Sequence, residues 1–531
     1  MGSVTSNPKV NISLLAAATV DAYADRRDII FGQLGAVGGA PTAVTDALNS
    51  NVEAMTTTEI KTLFGDDSYL TNCVLEWKAT NGSLSPLDVV AVVPAAGNAA
   101  TATITFVGTA TEAGEYKVSI VDEEKYQVTV AIPDTSDETA AALAVKTACD
   151  LLTDAVFTTG AALGVDTFTA TDVGTPGNHY GVKIEGVVPG LVPTIASFQT
   201  LATGTGVPVI TSTLDAIEGI RYTGVVWPED WSTVALIVEF ESRFNASNAI
   251  MDGVIFQGKT AVYADDLAAG VLLDSKVICL MGAPLLDLAD NKGPAVVKPA
   301  DWVASEFAGV RARRLTPDAN IADYIVTTSG GLDAFGGPHT ASLPYFNTPL
   351  GNTAVTAATN LWTSDTEQPA LAASGFTTYG VNSAQNAMLM GPVVTTQTTD
   401  GAGNANKSFL YLNYVDTGSA CREIIYNVLK ATYAQSRLTE GDLEAGYSMA
   451  NAESIKAELL RIYRFLTTKS LTQKGRVAES YFAKNTNVTV SLINRTATIV
   501  GPLPIVTQLG NINYALRLSF TIEGSGTQIT V

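Results

Sequence analysis

Histidine is scarce in this chain, with only His179 and His339 among 531 residues. Neither lies in an HExxH or other metal-ligand spacing, and no GxSxG nucleophile elbow occurs. The Gly-rich stretch 35–39 lacks the GK[ST] of a phosphate-binding loop. The paired carboxylates at Asp265 and Asp266 are predicted to form a solvated face, because adjacent side chains point apart. We therefore predict no catalytic, cofactor-binding or metal-binding residues, and no enzymatic activity.

Cysteine and long apolar runs are equally sparse. The four cysteines are far apart and show no CxxC spacing, which argues against a disulfide framework or a zinc knot. No stretch reaches about 18 uninterrupted apolar residues, and the first residues show no charged region followed by an apolar block. The sequence therefore predicts neither membrane insertion nor a secretory signal.

Positive charge is the third deficit. The 31 Lys and Arg residues are outnumbered by 52 Asp and Glu residues, which gives a net charge of −21. Because a phosphate backbone repels so acidic a chain, we expect no direct nucleic-acid binding. The densest basic cluster, Arg311, Arg313 and Arg314, is expected to pair with acidic neighbours or with another subunit.

The apolar share of 46% indicates a folded protein, and the length predicts roughly three or four domains. A buried strand is predicted near residues 28–32, and Thr56 with Glu59 has the spacing of a helix-starting capping box. Short Thr-, Val- and Ala-rich runs fill residues 95–205, with one helix expected to start at Thr135, which has capping-box spacing with Glu138. After residue 207, strands and helices alternate, which is typical of an α/β layer with a parallel or mixed sheet.

The last third combines loops with well-defined elements. Residues 315–415 are predicted to form long loops with short strands, and helices are predicted at 421–435 and 452–468. Two strands are predicted at 488–493 and 496–500. The predicted fold class is α/β and α+β multidomain, with an α/β core layer, an inserted mostly-β domain and extended terminal β arms.

The chain ends carry alternating apolar residues typical of strands with one apolar face. At the amino end these are Val10, Ile12 and Leu14. At the carboxyl end they are Ile512, Tyr514, Leu516, Leu518, Phe520 and Ile522. The final strand is either an edge strand of its own domain or a strand donated to a neighbouring copy, and both alternatives stay open.

Several segments resemble, in the expected order, the tail sheath proteins of contractile phages, especially the Mu-like branch. They are DIIFGQ at 28–33, LFGDDSYL at 63–70, the mostly-β region including 114–126 and 177–178, the helix with 459–465, the strand 496–500, LPIV at 503–506 and the final strand.

The resemblance implies a structural subunit that polymerises as stacked homo-hexameric rings around an inner tail tube. The apolar residues of the two arms would contact neighbouring subunits, and contraction would drive the tube through the target cell envelope without a cofactor. Its partners would be further copies of itself, the tail tube protein, and the baseplate and tail terminator proteins. The protein would be located in the virion tail, after assembly in the host cytoplasm.

The predicted division along the chain has five parts. They are an N-terminal arm (1–24), a discontinuous α/β sheath core (25–94 and 206–415), an inserted outer domain (95–205), a C-terminal sheath domain (416–510) and a C-terminal arm strand (511–531). A β-rich surface adhesin or receptor-binding protein is the alternative function.

Overall fold

The structure is a computed structural model. It describes residues 27–35, 42–43, 45–66, 68–94, 96–121, 125–210, 213–217, 220–245, 253–284, 298–315, 345, 350, 366–381, 387–389, 391–433, 435–444, 447–468, 471–493, 496–505, 519–521 and 528–530.

The strands, in chain order, are β1 (Asp28–Gln33), β2 (Leu48–Asn49), β3 (Leu87–Val92), β4 (Ala99–Gly108), β5 (Gly114–Ile120), β6 (Gln127–Ile132), β7 (Phe157–Ala162), β8 (Val165–Val173), β9 (Val182–Glu185), β10 (Leu191–Ala196), β11 (Gly224–Val226), β12 (Val254–Ala261), β13 (Ile278–Pro284), β14 (Phe376–Val381), β15 (Ala387–Leu389), β16 (Arg437–Leu438), β17 (Met449–Ala450), β18 (Asn487–Ser491), β19 (Thr496–Val500), β20 (Ser519–Thr521) and β21 (Gln528–Thr530).

The helices are α1 (Thr57–Phe64), α2 (Tyr69–Asn81), α3 (Glu138–Cys149), α4 (Phe198–Leu201), α5 (Val234–Asn245), α6 (Tyr263–Leu273), α7 (Ala300–Leu315), α8 (Glu367–Ala373), α9 (Leu412–Tyr433), α10 (Ala452–Thr468) and α11 (Arg476–Asn485).

The largest sheet has eight strands in the order β15-β14-β13-β12-β11-β1-β3-β2. Its six central strands run parallel, and the edge strands β2 and β15 are antiparallel to their neighbours. Both faces are covered by helices, which is why β1 and β3 are buried along their whole length. The α/β layer with a parallel or mixed sheet, predicted from the alternation of strands and helices, is confirmed, and the sheet is mixed.

Successive residues of β1 pack on opposite sides of this sheet. Ile30 belongs to the apolar cluster that contains Trp77 of α2 and Phe307 of α7. Ile29 and Phe31 belong to a second cluster on the other face, formed with α5, α6 and α8. The sheet is therefore the middle layer of an α/β sandwich, as the predicted α/β core layer requires.

Residues 99–196 form two smaller antiparallel sheets, β10-β4-β8-β7 and β6-β5-β9. Helix α3 contacts strands of both sheets. The buried side chains of this region, among them Ile104, Tyr116 and Phe168, belong to the same apolar cluster as α2 and α7. This β-rich region, here called the β module, therefore shares a continuous core with one face of the large sheet.

The C-terminal part is built on α9, α10 and α11. Leu412 and Val415 at the start of α9 pack in the core of the large sheet. Further along the same helix, Ile424 and Val428 pack against α10. Since α9 crosses residue 415, the predicted boundary between core and C-terminal domain falls inside a helix.

Three predictions of local structure are wrong. Helix α3 is capped by Asp137, whose side chain accepts a hydrogen bond from the Ala140 amide at 2.8 Å, whereas Thr135 has a left-handed backbone with φ 62°. Helix α9 begins at Leu412, nine residues before the predicted start at residue 421. Residues 315–415, predicted as loops with short strands, also include helix α8, whereas their short strands β14 and β15 agree with the prediction.

Candidate assembly surface

The hairpin β18–β19 is an open two-stranded sheet. Its two strands pair antiparallel from Asn487 opposite Val500 to Ser491 opposite Thr496. In the part of the chain that the structure describes, neither strand pairs with a third strand. A two-stranded sheet is marginal on its own, and a free edge presents unpaired backbone groups that accept another strand.

The hairpin also has an apolar face that its own chain covers only in part. Cross-strand partners share a face, so Val488 and Ile499 lie on the same side. Val488 is buried against α10, whereas Ile499 is 37% exposed and every residue of β19 is exposed. A strand added beside β19 would cover Ile499 and would also form hydrogen bonds with the unpaired backbone groups of the free edge.

The hairpin rests on closely packed helices. Helix α10 has the bounds and the apolar stripe predicted from its sequence, with Ile455, Leu459, Ile462 and Leu466 all buried. Tyr463 of α10 stacks on Phe482 of α11 with ring centroids 4.6 Å apart. Gly501, just after β19, approaches Thr486 so closely that a Cβ there would lie 2.6 Å from the threonine Oγ1. These contacts hold the open edge in a defined position.

Most of the predicted arm residues lie outside the described residues. This holds for Val10, Ile12 and Leu14, and for Ile512, Tyr514, Leu516, Leu518 and Ile522. The backbone of Phe520 belongs to β20, which pairs antiparallel with β21, so that Phe520 lies opposite Ile529. The structure therefore leaves the role of the arms as a prediction.

An ionic joint ties the β module to the large sheet. His179, in a 3₁₀ turn of the β module, contacts Glu229 through Nδ1 at 3.0 Å and Asp230 through Nε2 at 2.7 Å. Lys259 of β12 contacts Glu229 at 3.1 Å. Burial alone lowers the pKa of His179, but the charges and hydrogen bonds of Glu229 and Asp230 raise it well above its ordinary value. Glu229 and Asp230 therefore favour the protonated form of His179.

A second set of contacts completes this joint. Asp172 at the end of β8 accepts a hydrogen bond from the Tyr69 amide at the start of α2, at 2.6 Å. Tyr180 lies against both Tyr69 and Trp302, with ring centroids 6.2 Å apart in each case. Tyr69 also donates its hydroxyl to Asp301 at 2.7 Å. The β module is thus fixed to the core by buried polar and aromatic contacts.

The prediction that Asp266 lies on a solvated face is wrong. Its side chain is fully buried at the start of α6, and neither carboxylate oxygen has a hydrogen-bond partner within the described residues. Burial, reinforced by the nearby charge of Glu229, raises the pKa of Asp266 to about 8. Adjacent residues of a helix point apart, and only Asp265 faces the solvent.

Replacement of Asp266 by Asn is expected to stabilise the protein at high pH. The pKa of this carboxyl is near 4 in the unfolded chain and about 8 in the folded protein. Its contribution to folding stability is therefore complete below about pH 4 and is lost as the pH rises through about 8. We expect Asp266→Asn to gain about 2–4 kcal/mol at pH 9 and little at pH 4.5. Thermal unfolding at both values checks this, with Asp265→Asn as the exposed control. An equal gain at both values would contradict it.

The expected pairing of the basic cluster is confirmed for Arg311. Its Nη2 lies 2.6 Å from Asp416 Oδ1 of α9, and its Nη1 donates to the Thr223 carbonyl at 2.8 Å. The Tyr345 hydroxyl donates to the same carboxylate at 2.7 Å. Arg311 therefore joins α7, α9 and the segment before β11 inside one chain.

The residues that form these buried contacts carry no local signal in the sequence. Glu229 and Asp230 follow β11 in a Pro-Glu-Asp sequence typical of an exposed turn, and Glu76 lies in a helix whose burial extends around most of its circumference. Their partners lie tens of positions away in sequence: His179 contacts both Glu229 and Asp230, Lys259 contacts Glu229, and Lys298 contacts Glu76 at 2.8 Å. No local periodicity or spacing could have indicated them.

In the described ranges, no group of three or more His, Cys, Asp or Glu side chains is arranged to hold a metal ion. None of the described helices combines the length and apolar character needed to cross a lipid bilayer.

Comparison with known proteins gives one clear relative in sequence, while no family model matches. The chain is 25% identical to a Mu-like prophage tail sheath protein of Haemophilus influenzae over 469 residues, which span 84% of this chain and 87% of the relative.

Alignments with chains of solved structures give TM-scores below 0.5. A sheath tail protein of Listeria innocua aligns with a TM-score of 0.45 at 13% identity, covering 94% of this chain and 96% of that one. A sheath tail protein of Desulfitobacterium hafniense aligns with a TM-score of 0.43 at 11% identity, covering 91% and 97%. A chain of the anti-feeding prophage baseplate gives 0.35 at 12% identity, covering 58% and 72%. The sequence similarity to the Haemophilus influenzae protein confirms the expected resemblance to tail sheath proteins of the Mu-like branch.

Proposed function

We propose that this chain is the structural subunit of a contractile tail sheath. Its similarity to a Mu-like prophage tail sheath protein extends over most of both chains. The observation that carries the proposal is the hairpin β18–β19, whose outer strand is exposed throughout and has a free edge. A subunit that must bind further copies of itself needs such an acceptor, and the chain also has a long alternating segment at 512–522 that could fill it.

In this proposal the arms connect the lattice. Alternating residues of the terminal arms, Val10, Ile12 and Leu14 at one end and 512–522 at the other, add strands to the hairpins of neighbouring subunits. Each arm contributes backbone hydrogen bonds and apolar burial, at about 1 kcal/mol per hydrogen bond and about 1.5–3 kcal/mol per buried side chain before ordering costs. Links of this size persist while the subunits change their packing.

The subunits form homo-hexameric rings stacked around the tail tube, between the baseplate and the tail terminator proteins, in the tail of a virion assembled in the host cytoplasm. Contraction moves them as nearly rigid bodies and drives the tube through the target envelope. The buried joint at His179 and Tyr180 fits this motion, because it holds the β module to the core. A lower-energy contracted packing supplies the free energy, so no catalytic group or nucleotide is needed.

The proposed division follows the sheets. The core combines the strands β1–β3 and β11–β15, the inserted domain holds the strands from Ala99 to Ala196, and arms occupy 1–24 and 511–531. The C-terminal domain, predicted at 416–510, is proposed to start at Leu412, where α9 begins.

Purified full-length protein is expected to polymerise into hollow helical tubes with sixfold symmetry. Negative-stain electron microscopy over a range of concentrations measures this, and co-expression with the small tube protein should yield tubes with filled centres. A chain that stays monomeric at high concentration, and instead binds glycans as a monomer, would refute the sheath and favour an adhesin.

A further inference from the structure

The outer face of the sheet β10-β4-β8-β7 carries no charged side chain, although all its residues are described. Its cross-strand registers place one row of small residues across all four strands: Ala196, Thr103, Thr167 and Gly160. The adjacent row has the same character: Thr194, Thr105, Val165 and Ala162. Asp166 belongs to the opposite, buried face. We call these two rows, with the neighbouring pair Val107 and Val192, the threonine face.

The threonine face is open along most of its extent. Val107 and Val192 are each 62% exposed, and Leu163 in the adjoining β7–β8 turn is 90% exposed. A Cβ added to Gly160 would meet no other atom within 4 Å. The end near Thr101 is covered, because the hydroxyl oxygens of Thr101 and Thr203 lie 2.9 Å apart.

The other sheet of the β module provides an internal comparison. On the outer face of β6-β5-β9, Lys117 lies opposite Glu185, and Lys183 pairs with Glu185 at 2.7 Å. Glu115 is exposed on the same face. The outer face of β6-β5-β9 therefore carries charged residues, as exposed sheet faces usually do. The threonine face is also exposed but carries none, although the chain has a net charge of −21.

The chemistry of the threonine face excludes several kinds of partner. It has no cation to attract a phosphate backbone and no aromatic ring on which a sugar or a base could stack. A second copy of this chain is favoured, because copies that each carry −21 must meet where like charges are absent. We propose that the threonine face is a contact between neighbouring copies in the assembled polymer, an inference that rests on the proposed sheath function.

The size of the face explains why this contact would form only in the polymer. The ten positions of the face, about 4.8 Å apart between strands and about 7 Å apart along each strand, cover roughly 340 Å². A stable pair of proteins generally needs about 800 Å² from each partner. The threonine face is therefore too small to hold a dimer in solution, and it contributes where other contacts, such as the arms, already bring copies together.

The first experiment adds charge to the face. The double variant Thr105→Glu with Thr167→Glu is compared with Gln127→Glu and Thr129→Glu on the charged sheet, so that both variants gain two negative charges. We expect the first variant to raise the critical concentration for polymerisation at least tenfold and the control to stay within twofold of wild type. Unfolding temperatures of both monomers establish that they fold. Equal polymerisation of the two variants overturns the inference while leaving the sheath function intact.

The second experiment detects coverage directly and does not depend on impaired assembly. All four native cysteines are buried, so Thr105→Cys introduces a selectively reactive thiol. We expect maleimide to label it in the monomer and at least tenfold more slowly in the polymer, with Thr129→Cys reactive in both. The contact is overturned if Thr105→Cys is labelled at the same rate in monomer and polymer. It is also overturned if polymerisation slows the labelling of Thr129→Cys as much as that of Thr105→Cys. A wild-type chain that forms no polymer removes the sheath function and the contact together.

Discussion

Ile499→Asp is expected to leave the monomer folded and to raise the critical concentration for polymerisation at least tenfold. In the monomer, Ile499 is more than one-third exposed, so the substitution costs about 1 kcal/mol of folding stability. In the polymer, a strand added beside β19 would bury the aspartate next to Val488 without a partner for its charge. Sedimentation of polymer from monomer over a concentration series measures the effect.

Thr498→Asp provides the matched control. Thr498 is adjacent in β19 and points to the opposite, polar face, where an aspartate stays solvated after a strand is added. We expect this variant to polymerise within about threefold of wild type. If both variants polymerise alike, the uncovered apolar face of the hairpin is not an acceptor.

The donor side of the same contact is tested by removing residues 511–531. The truncated subunit should fold and remain monomeric, because six alternating apolar side chains would contribute about 1.5–3 kcal/mol each to the lattice before ordering costs. Mixed with Ile499→Asp, it should not form polymers, since one chain lacks the donor and the other the acceptor. Normal polymers of the truncated chain would show that the final strand serves only its own subunit.

The sequence was informative where local signals agreed. Helix α10 has its predicted bounds because its apolar stripe is regular, and α1 begins at the predicted capping box of Thr56 and Glu59. The same spacing misled at Thr135 and Glu138, because Asp137 is also a strong helix cap and lies closer to the first apolar turn. Competing local signals of similar strength cannot be ranked without tertiary contacts.

The contacts that fix the relative position of the parts were not predictable from periodicity. β14 lies in a Gly- and Thr-rich region, and its place in the large sheet depends on pairing with β13, nearly 100 residues earlier. Asp266 is buried only because α6 packs that side of its first turn against the sheet. The same holds for the candidate assembly surface. The sequence predicted β19 as a strand, whereas its exposure arises because α10 packs against β18 and leaves β19 uncovered.

The largest expected loss of folding stability follows from Asp416→Ala. The change removes the carboxylate that holds Arg311 at 2.6 Å and leaves a buried guanidinium without its ion-pair partner. Burial lowers the pKa of Arg311, and Asp416 raises it above its ordinary value, so the ion pair offsets the burial cost. Breaking one partner of such a buried pair costs about 3–5 kcal/mol. Calorimetry of the full chain should show the affected transition at a lower temperature.

A matched variant distinguishes charge from packing at this position. Arg311→Met, Asp416→Leu and Tyr345→Phe together remove the ion pair and also the hydroxyl that donates to Asp416 at 2.7 Å. Because apolar residues of similar volume replace a buried ionic cluster at little cost, the triple variant should recover at least half of the loss. The first turns of α9 would then still pack in the core of the large sheet through Leu412 and Val415. A triple variant as unstable as Asp416→Ala would show that geometry, rather than charge compensation, makes Arg311 necessary for joining the C-terminal part to the core.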